Sequence, residues 1–137
     1  MPVRRDMALT LPDDVRALID GKNFATVATL DPDGGPQTSD VWVGLDDGDL
    51  VFSATEDRRK VRNLRRDPRV SVSIIDAADP YRHTQLRGRV TIEPDPGKTL
   101  PKTLSHKYLA QDPPPEGPEA ERVLVRLHVE KIAGNVK

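Results

Sequence analysis

DLVFSATEDRRKVRNLRRDP, residues 49–68, is the stretch from which the rest of the chain is read. Leu50–Thr55 is a short apolar run rich in strand-forming residues. The segment Asp57–Arg66 reads as a helix closed by Pro68, with Val61 and Leu64 three positions apart on its buried side. Seven basic residues (Arg58, Arg59, Lys60, Arg62, Arg65, Arg66 and Arg69) fall within twelve positions, opposed only by Asp67, in a chain whose net charge is −1. A strand feeding a cationic helix start suits a phosphate, because free backbone N–H groups and the helix dipole add to the side-chain charge. The stretch therefore points to a phosphorylated small molecule held between a strand and a helix. Arg58, Arg62 and Arg65 share one helix face, so they cannot all serve one small ligand.

Turn and strand signals extend outward on both sides. Before the stretch, Thr10–Asp20 reads as a helix capped by Thr10 and stopped by Gly21, with Val15, Leu18 and Ile19 as its buried stripe. Phe24–Leu30 and Gln37–Leu45 read as two strands of a hairpin, joined by the turn DPDGGP at residues 31–36. DDGD at residues 46–49 is a second turn. After the stretch, Val70–Asp76 and Tyr81–Glu93 are strands, the latter with Gly88 at a bulge or bend. Lys98–Ala110 is a helix candidate. The segment Gln111–Ala120 holds four prolines and reads as an exposed loop. Arg122–Ile132 is the last strand. Six strands with two or three helices predict a mainly β (α+β) domain: a six-stranded antiparallel barrel spanning residues 1–137.

Composition narrows the chemistry. At 137 residues the chain is long enough for one core. It has no cysteine, which removes disulfides, thiolate metal sites and cysteine nucleophiles and fits a reducing cytoplasm. No apolar run approaches a membrane span, and the first fourteen residues show no leader-like apolar core. A pI near 6.3 and few aromatics argue against a nucleic-acid binder. His83, His106 and His128 lack metal-ligand spacing, so no metal is expected. His106 and His128 read as structural, and His83 stays open between a structural and a site role. Trp42 reads as core or dimer-interface packing ahead of ring stacking. Asp40 reads as a solvent-facing strand residue ahead of a proton donor or acceptor near a substrate. Gly34-Gly35 is turn chemistry, with no Lys-Ser or Lys-Thr after it to make a phosphate loop. No nucleophile elbow, zinc motif or paired carboxylate appears, so no catalytic side chain is assigned. A cofactor enzyme fits that absence, because its cofactor carries the chemistry.

Three segments carry a family resemblance: FATVATLDPDGGPQTSDVWV (24–43), LVFSATEDRRKVRNLRRDPRVSVSI (50–74) and DPYRHTQLRGRV (79–90). They resemble the split-barrel flavin-binding proteins related to pyridoxamine 5′-phosphate oxidase, and within them the short actinobacterial branch that uses the 5-deazaflavin coenzyme F420. The resemblance implies a split β-barrel and a homodimer with cofactors in clefts between subunits. It places the cofactor phosphate at Arg58, Arg59 and Lys60, with Ser53 beside it. The ring would lie along Gln37, Thr38, Ser39 and Val41, and the partner subunit would contribute Tyr81 and His83. Arg65, Arg66 and Arg69 read as surface residues or contacts to an acidic tail.

The chain departs from the oxidase pattern where the second strand of pyridoxamine-type enzymes carries an Arg and a later Lys for the flavin. Those positions hold Ser39 and Gly44 here. The C-terminal Arg-rich motif that grips the vitamin phosphate is also absent. The departures argue against pyridoxamine phosphate oxidation and for an F420-dependent oxidoreductase acting on a small electron-poor acceptor. The alternatives are an FMN-binding oxidoreductase of the same fold and a non-catalytic F420 carrier.

Overall fold

The computed structural model describes residues 8–137, so half of the segment read for a leader lies outside the described residues. The elements are α1 (Asp13–Asp20), β1 (Ala25–Leu30), β2 (Pro36–Val41), β3 (Gly44–Asp46), β4 (Asp49–Thr55), α2 (Arg59–Arg66), β5 (Arg69–Ile75), β6 (His83–Pro94), α3 (Thr99–Leu109) and β7 (Arg122–Gly134). Among the described residues there are seven strands, not the six expected, because Gln37–Leu45 breaks at Trp42-Val43 into β2 and β3. α1 starts after Pro12 with no side-chain cap, so Thr10 does not serve as one. Pro12 has no N–H to leave unpaired there, and Asp13 and Asp14 supply the favourable charge in the first turn.

The strands form one antiparallel sheet in the order β2-β1-β5-β6-β7-β4-β3. Its two edges, β2 and β3, are neighbours in sequence. Six inter-strand steps of about 4.8 Å would put the edges of a flat sheet roughly 29 Å apart. The three Cα–Cα steps from Val41 to Gly44 can reach at most about 11 Å. The sheet must therefore curl until its edges approach, giving a barrel whose hydrogen-bond ladder stays open between β2 and β3. This is the split-barrel architecture. The β3–β4 hairpin helps by turning tightly: Asp47 and Gly48 both have positive φ (52° and 81°), the geometry that matches strand twist in a two-residue loop.

Alternation fills the interior. On β4, Leu50, Phe52 and Ala54 enter the main core together with Val123, Val125, Leu127 and Val129 of β7. Val15, Leu18 and Ile19 of α1 and Val61 and Leu64 of α2 close its ends. Val51 faces the other side of β4, where Leu100 and Leu104 of α3 cover it. α3 is fastened over the β2–β3 break by two side chains. Lys107 Nζ donates to the carbonyls of Ile19 (2.7 Å) and Val43 (2.6 Å). The Tyr108 hydroxyl donates to Asn23 O (2.6 Å) and accepts from Val43 N–H (3.2 Å). Burial pulls the Lys107 ammonium down to about 8.

Gly88 sits at the bulge expected of it, where the β6–β7 register shifts. A Cβ there would lie 2.0 Å from His128 O, which is backbone and cannot swing aside. Gly88→Ala should therefore destabilise the domain by about 1–3 kcal/mol. In chemical denaturation the midpoint should fall while the slope stays unchanged.

Candidate functional site

Adjacent helical residues point about 100° apart, so the basic run cannot act as a unit. Arg59, Asn63 and Arg66 follow the i, i+4, i+7 spacing of one helix face, and that face is tied to the end of β1. Arg59 makes a two-point pair with Asp31, Nε to Oδ1 at 2.9 Å and Nη2 to Oδ2 at 2.5 Å. The buried Asn63 donates to Thr29 Oγ1 and Asp31 Oδ1, each at 3.0 Å. Arg66 donates to Leu30 O and to Asn63 Oδ1 (3.1 Å). The Arg59 guanidinium, with Asn63 behind it, holds the Asp31 carboxyl below its ordinary value. Arg65 and Arg69 pair with Glu56 and Asp67 in the same way.

Arg62 donates to the backbone carbonyl of Asp57, and two cations of the run, Arg58 and Lys60, are left over. Among the described residues neither Arg58 nor Lys60 has a carboxylate partner, and both line a cavity of about 440 Å³. Lys60 is 7% exposed, and its ammonium donates only to Ser39 Oγ at 3.3 Å. Burial first, and the neighbouring Arg58 charge second, lower its pKa. The backbone N–H groups of Arg59 and Lys60 open the helix, where no residue of the same helix can accept from them. Positive charge without a carboxylate partner, in a partly desolvated site beside N–H donors that have no acceptor in their own helix, is chemically suited to an anion.

The rest of the wall comes from five other segments. Asp40 and Val41 end β2 with Trp42 just after them, Ser53 faces out of β4, Pro101 and Leu104 belong to α3, and Arg122 begins β7. Pro113, Pro114, Pro115 and Glu116 come from the proline loop, which is exposed as expected but also forms a cavity wall. Glu116 anchors that loop. Arg122 Nε donates to both its oxygens at 3.1 and 3.2 Å, and Lys98 Nζ lies 3.3 Å from Oε2. These partners, Arg122 first, lower the Glu116 carboxyl below its ordinary value. The remaining end of Arg122 points to Ser53 Oγ at 3.5 Å. The cavity thus has uncompensated charge at Arg58 and Lys60, a neutralised donor at Arg122, and apolar wall at Trp42, Leu104 and the prolines. It can hold a ligand that is anionic at one end and flat and apolar at the other.

Of the residues singled out from sequence, Val41, Ser53, Arg58 and Lys60 come together in this wall, and Ser39 stands behind Lys60. Arg59 does not join them. Gln37 lies along β2 with its side chain accepting from Thr29 Oγ1 at 3.1 Å, and Thr38 is exposed on the same strand. Tyr81 (86% exposed) and His83 lie at the start of β6, away from the cavity of their own chain. His128 is buried as a structural residue, its Nε2 2.9 Å from Thr91 Oγ1. Asp40 is exposed as expected, yet it also lines the cavity. Sequence reading missed Glu116 and Arg122, which lie across a proline-rich loop with no periodic signal. It also missed the anchoring face of α2, for which the 59-63-66 spacing was available.

Comparison with known proteins bears on this geometry. The sequence profile of the pyridoxamine 5′-phosphate oxidase family matches residues 11–135. A pyridoxine/pyridoxamine 5′-phosphate oxidase of Bacteroides thetaiotaomicron is 28% identical over 90% of this chain, which spans only 60% of that relative's length. Among solved structures, an F420 reductase superposes with a TM-score of 0.80 at 31% identity, covering 90% of this chain and 98% of that one. A conserved hypothetical protein of Mycobacterium tuberculosis superposes with a TM-score of 0.73 at 22% identity, over 96% of this chain and 88% of the other, a likeness of fold alone.

The lowered Lys60 pKa gives the anion site a pH signature. Only the protonated amine attracts an anion, so affinity for pyrophosphate should fall as pH rises through the lowered value, before ordinary lysines titrate near 10.4. Lys60→Met should weaken binding by about 1.5–3 kcal/mol. Lys60→Arg should keep binding while moving the alkaline loss upward. Calorimetric titration across pH measures all three.

Proposed function

The chain belongs to the pyridoxamine 5′-phosphate oxidase family, and we propose that within this flavin-binding, oxidoreductase fold it is an F420-dependent reductase. The carrying observation is the pair of cations, Arg58 and Lys60, without carboxylate partners among the described residues, in a cavity that Trp42, Leu104 and the prolines also line. That pair would hold the coenzyme phosphate, aided by the N–H groups of Arg59 and Lys60. Ser39 would keep the Lys60 ammonium aimed into the cavity. Val41, with Gln37 and Thr38 along the same strand, would set the ring's edge against β2. Arg59 would act one step back, fixing α2 to β1 through Asp31 so that its neighbour is correctly placed. When bound and reduced, the deazaflavin supplies hydride from its C5 to an electron-poor acceptor, which also takes up a proton. The wall residues would exclude water and hold acceptor and ring in near-attack geometry.

Two observations favour the deazaflavin over FMN. The second-strand position that carries an Arg in pyridoxamine-type oxidases is Ser39, which is engaged with Lys60. The position that carries the later Lys is Gly44, where even a Cβ would lie 3.2 Å from Leu104 Cδ2. A side chain at that position would press on Leu104 of α3, which would have to give by a few tenths of an ångström. The 31% identity to an F420 reductase agrees with this reading. Fluorescence titration should show F420 binding at least about tenfold tighter than FMN, a difference of about 1.4 kcal/mol. Equal or tighter FMN binding in the same buffer would assign the site to a flavin. Tight F420 binding without reduction of any acceptor from a panel of enones, quinones and tetrapyrroles would make the protein a carrier.

A homodimer is part of the same proposal. Phe24 (63% exposed), Ile75 (50%) and Tyr81 (86%) leave apolar surface uncovered on the single chain. A two-fold partner would cover it and bring its own Tyr81 and His83 toward the ring. Light scattering should report a dimer at micromolar concentration. A monomer that still binds coenzyme would remove Tyr81 and His83 from the site. Among the described residues no helix is long and apolar enough to cross a membrane; a cytoplasmic enzyme drawing on a soluble coenzyme pool completes the proposal.

A further inference from the structure

Trp42 occupies a position that packing alone does not explain. It lies in the two-residue break between β2 and β3, stacked on Tyr108 with ring centroids 5.1 Å apart and planes 8° from parallel. Tyr108 is itself immobilised by its hydrogen bonds to Asn23 and Val43, and the Lys107 ammonium sits 4.8 Å from its ring centroid. Tyr108 is not part of the cavity wall, whereas Trp42 is. One indole face is therefore spent on Tyr108, while the same residue also lines the cavity. Leu104, in the same apolar cluster as Trp42, and the rigid Pro113–Pro115 run complete an apolar slot.

We propose that Trp42, backed by Tyr108 and faced by the proline loop, is the platform on which a flat, uncharged, conjugated acceptor stacks. The phosphate-bearing coenzyme needs the cationic end of the cavity, so the apolar end is left for the second reactant. A pre-stacked indole presents a large planar surface whose rotamer is already fixed, so little side-chain entropy is lost when another ring lies on it. Proline rings pack well against aromatic faces and bring no N–H donors of their own to the slot. The slot thus selects by planarity and by lack of charge. The choice of occupant rests on the oxidoreductase reading above; the slot itself does not.

Trp42 is the only tryptophan in the chain, so the protein's indole emission reports the slot directly. The probe is menadione, a flat uncharged quinone, titrated into the full chain with and without F420. Saturable quenching with unchanged fluorescence lifetime is expected, since a stacked complex is dark and the remainder is unaffected. Purely collisional quenching, equal to that of free tryptophan amide, would overturn the proposal. Equilibrium dialysis extends the test to variants that lack the indole. Trp42→Leu should weaken menadione binding about fivefold or more, and Trp42→Phe much less, because a smaller aromatic ring still stacks. Affinity for F420 should change by no more than about twofold in either variant, since its anchor lies at the other end. Should the Leu variant fail to fold, the lifetime result and the Phe variant decide. F420 that quenches Trp42 statically, and excludes menadione, would put the coenzyme ring on the indole and overturn the assignment. Menadione stacking without any F420 binding would leave the slot standing and sink the coenzyme reading instead.

Discussion

Two residues, Trp42 and Val43, link the opposite edges of a seven-stranded sheet, and that short tether governs everything around it. A chain that must pass from β2 to β3 in so few steps can do so only if the sheet curls through nearly a full turn. The edges then approach without pairing, which leaves backbone groups and side chains of the break exposed to whatever covers them. α3 covers them, held by Lys107 and Tyr108 on the carbonyl and N–H of Val43. The same α3 contributes Leu104 and Pro101 to the cavity. The split in the barrel, its helical cover and the ligand cavity are thus consequences of one length constraint.

The second organising feature is how α2 divides its charges. Arg59, Asn63 and Arg66 spend their donors on Thr29, Leu30 and Asp31 at the end of β1. Those contacts fix both the position and the rotation of the helix. With rotation fixed, Lys60 faces β2 and Arg58 the cavity, where among the described residues neither has a carboxylate partner. Surface ion pairs like Arg65–Glu56 contribute little to stability. Here the useful consequence is subtraction: ion pairs engage Arg59, Arg65 and Arg69, backbone carbonyls engage Arg62 and Arg66, and Arg58 and Lys60 remain. A similar subtraction operates across the cavity, where Glu116 neutralises Arg122 and confines net positive charge to one end.

Much of this was legible in residues 49–68. Apolar residues followed by clustered cations and a closing Pro68 specify strand, helix and stop through local physics, and the alternation on Val123–Val129 does the same for β7. Gly88 as a bulge and the DDGD hairpin followed from the backbone freedom of glycine. The seventh strand was not legible, because Gln37–Leu45 has unbroken strand propensity. Its break at Trp42-Val43 comes from sheet curvature, a property of all the strands together. Arg59 was grouped with Lys60 for a related reason: adjacent basic residues look equivalent in sequence, and only the docking of α2 on β1 separates them.

The sequence by itself determined the element types and the mainly β class, because each depends on interactions within a few residues, and it located the clustered cations at the start of α2. It also carried the family resemblance, which the profile match over residues 11–135 bears out. Tertiary structure alone decided which three of the seven cations pair with carboxylates and which two line the cavity. It brought Glu116 and Arg122 to the cavity from across a proline loop, and set Trp42 against Tyr108 66 positions later. Those outcomes depend on where curved strands and packed helices bring distant side chains, and no local pattern encodes that meeting.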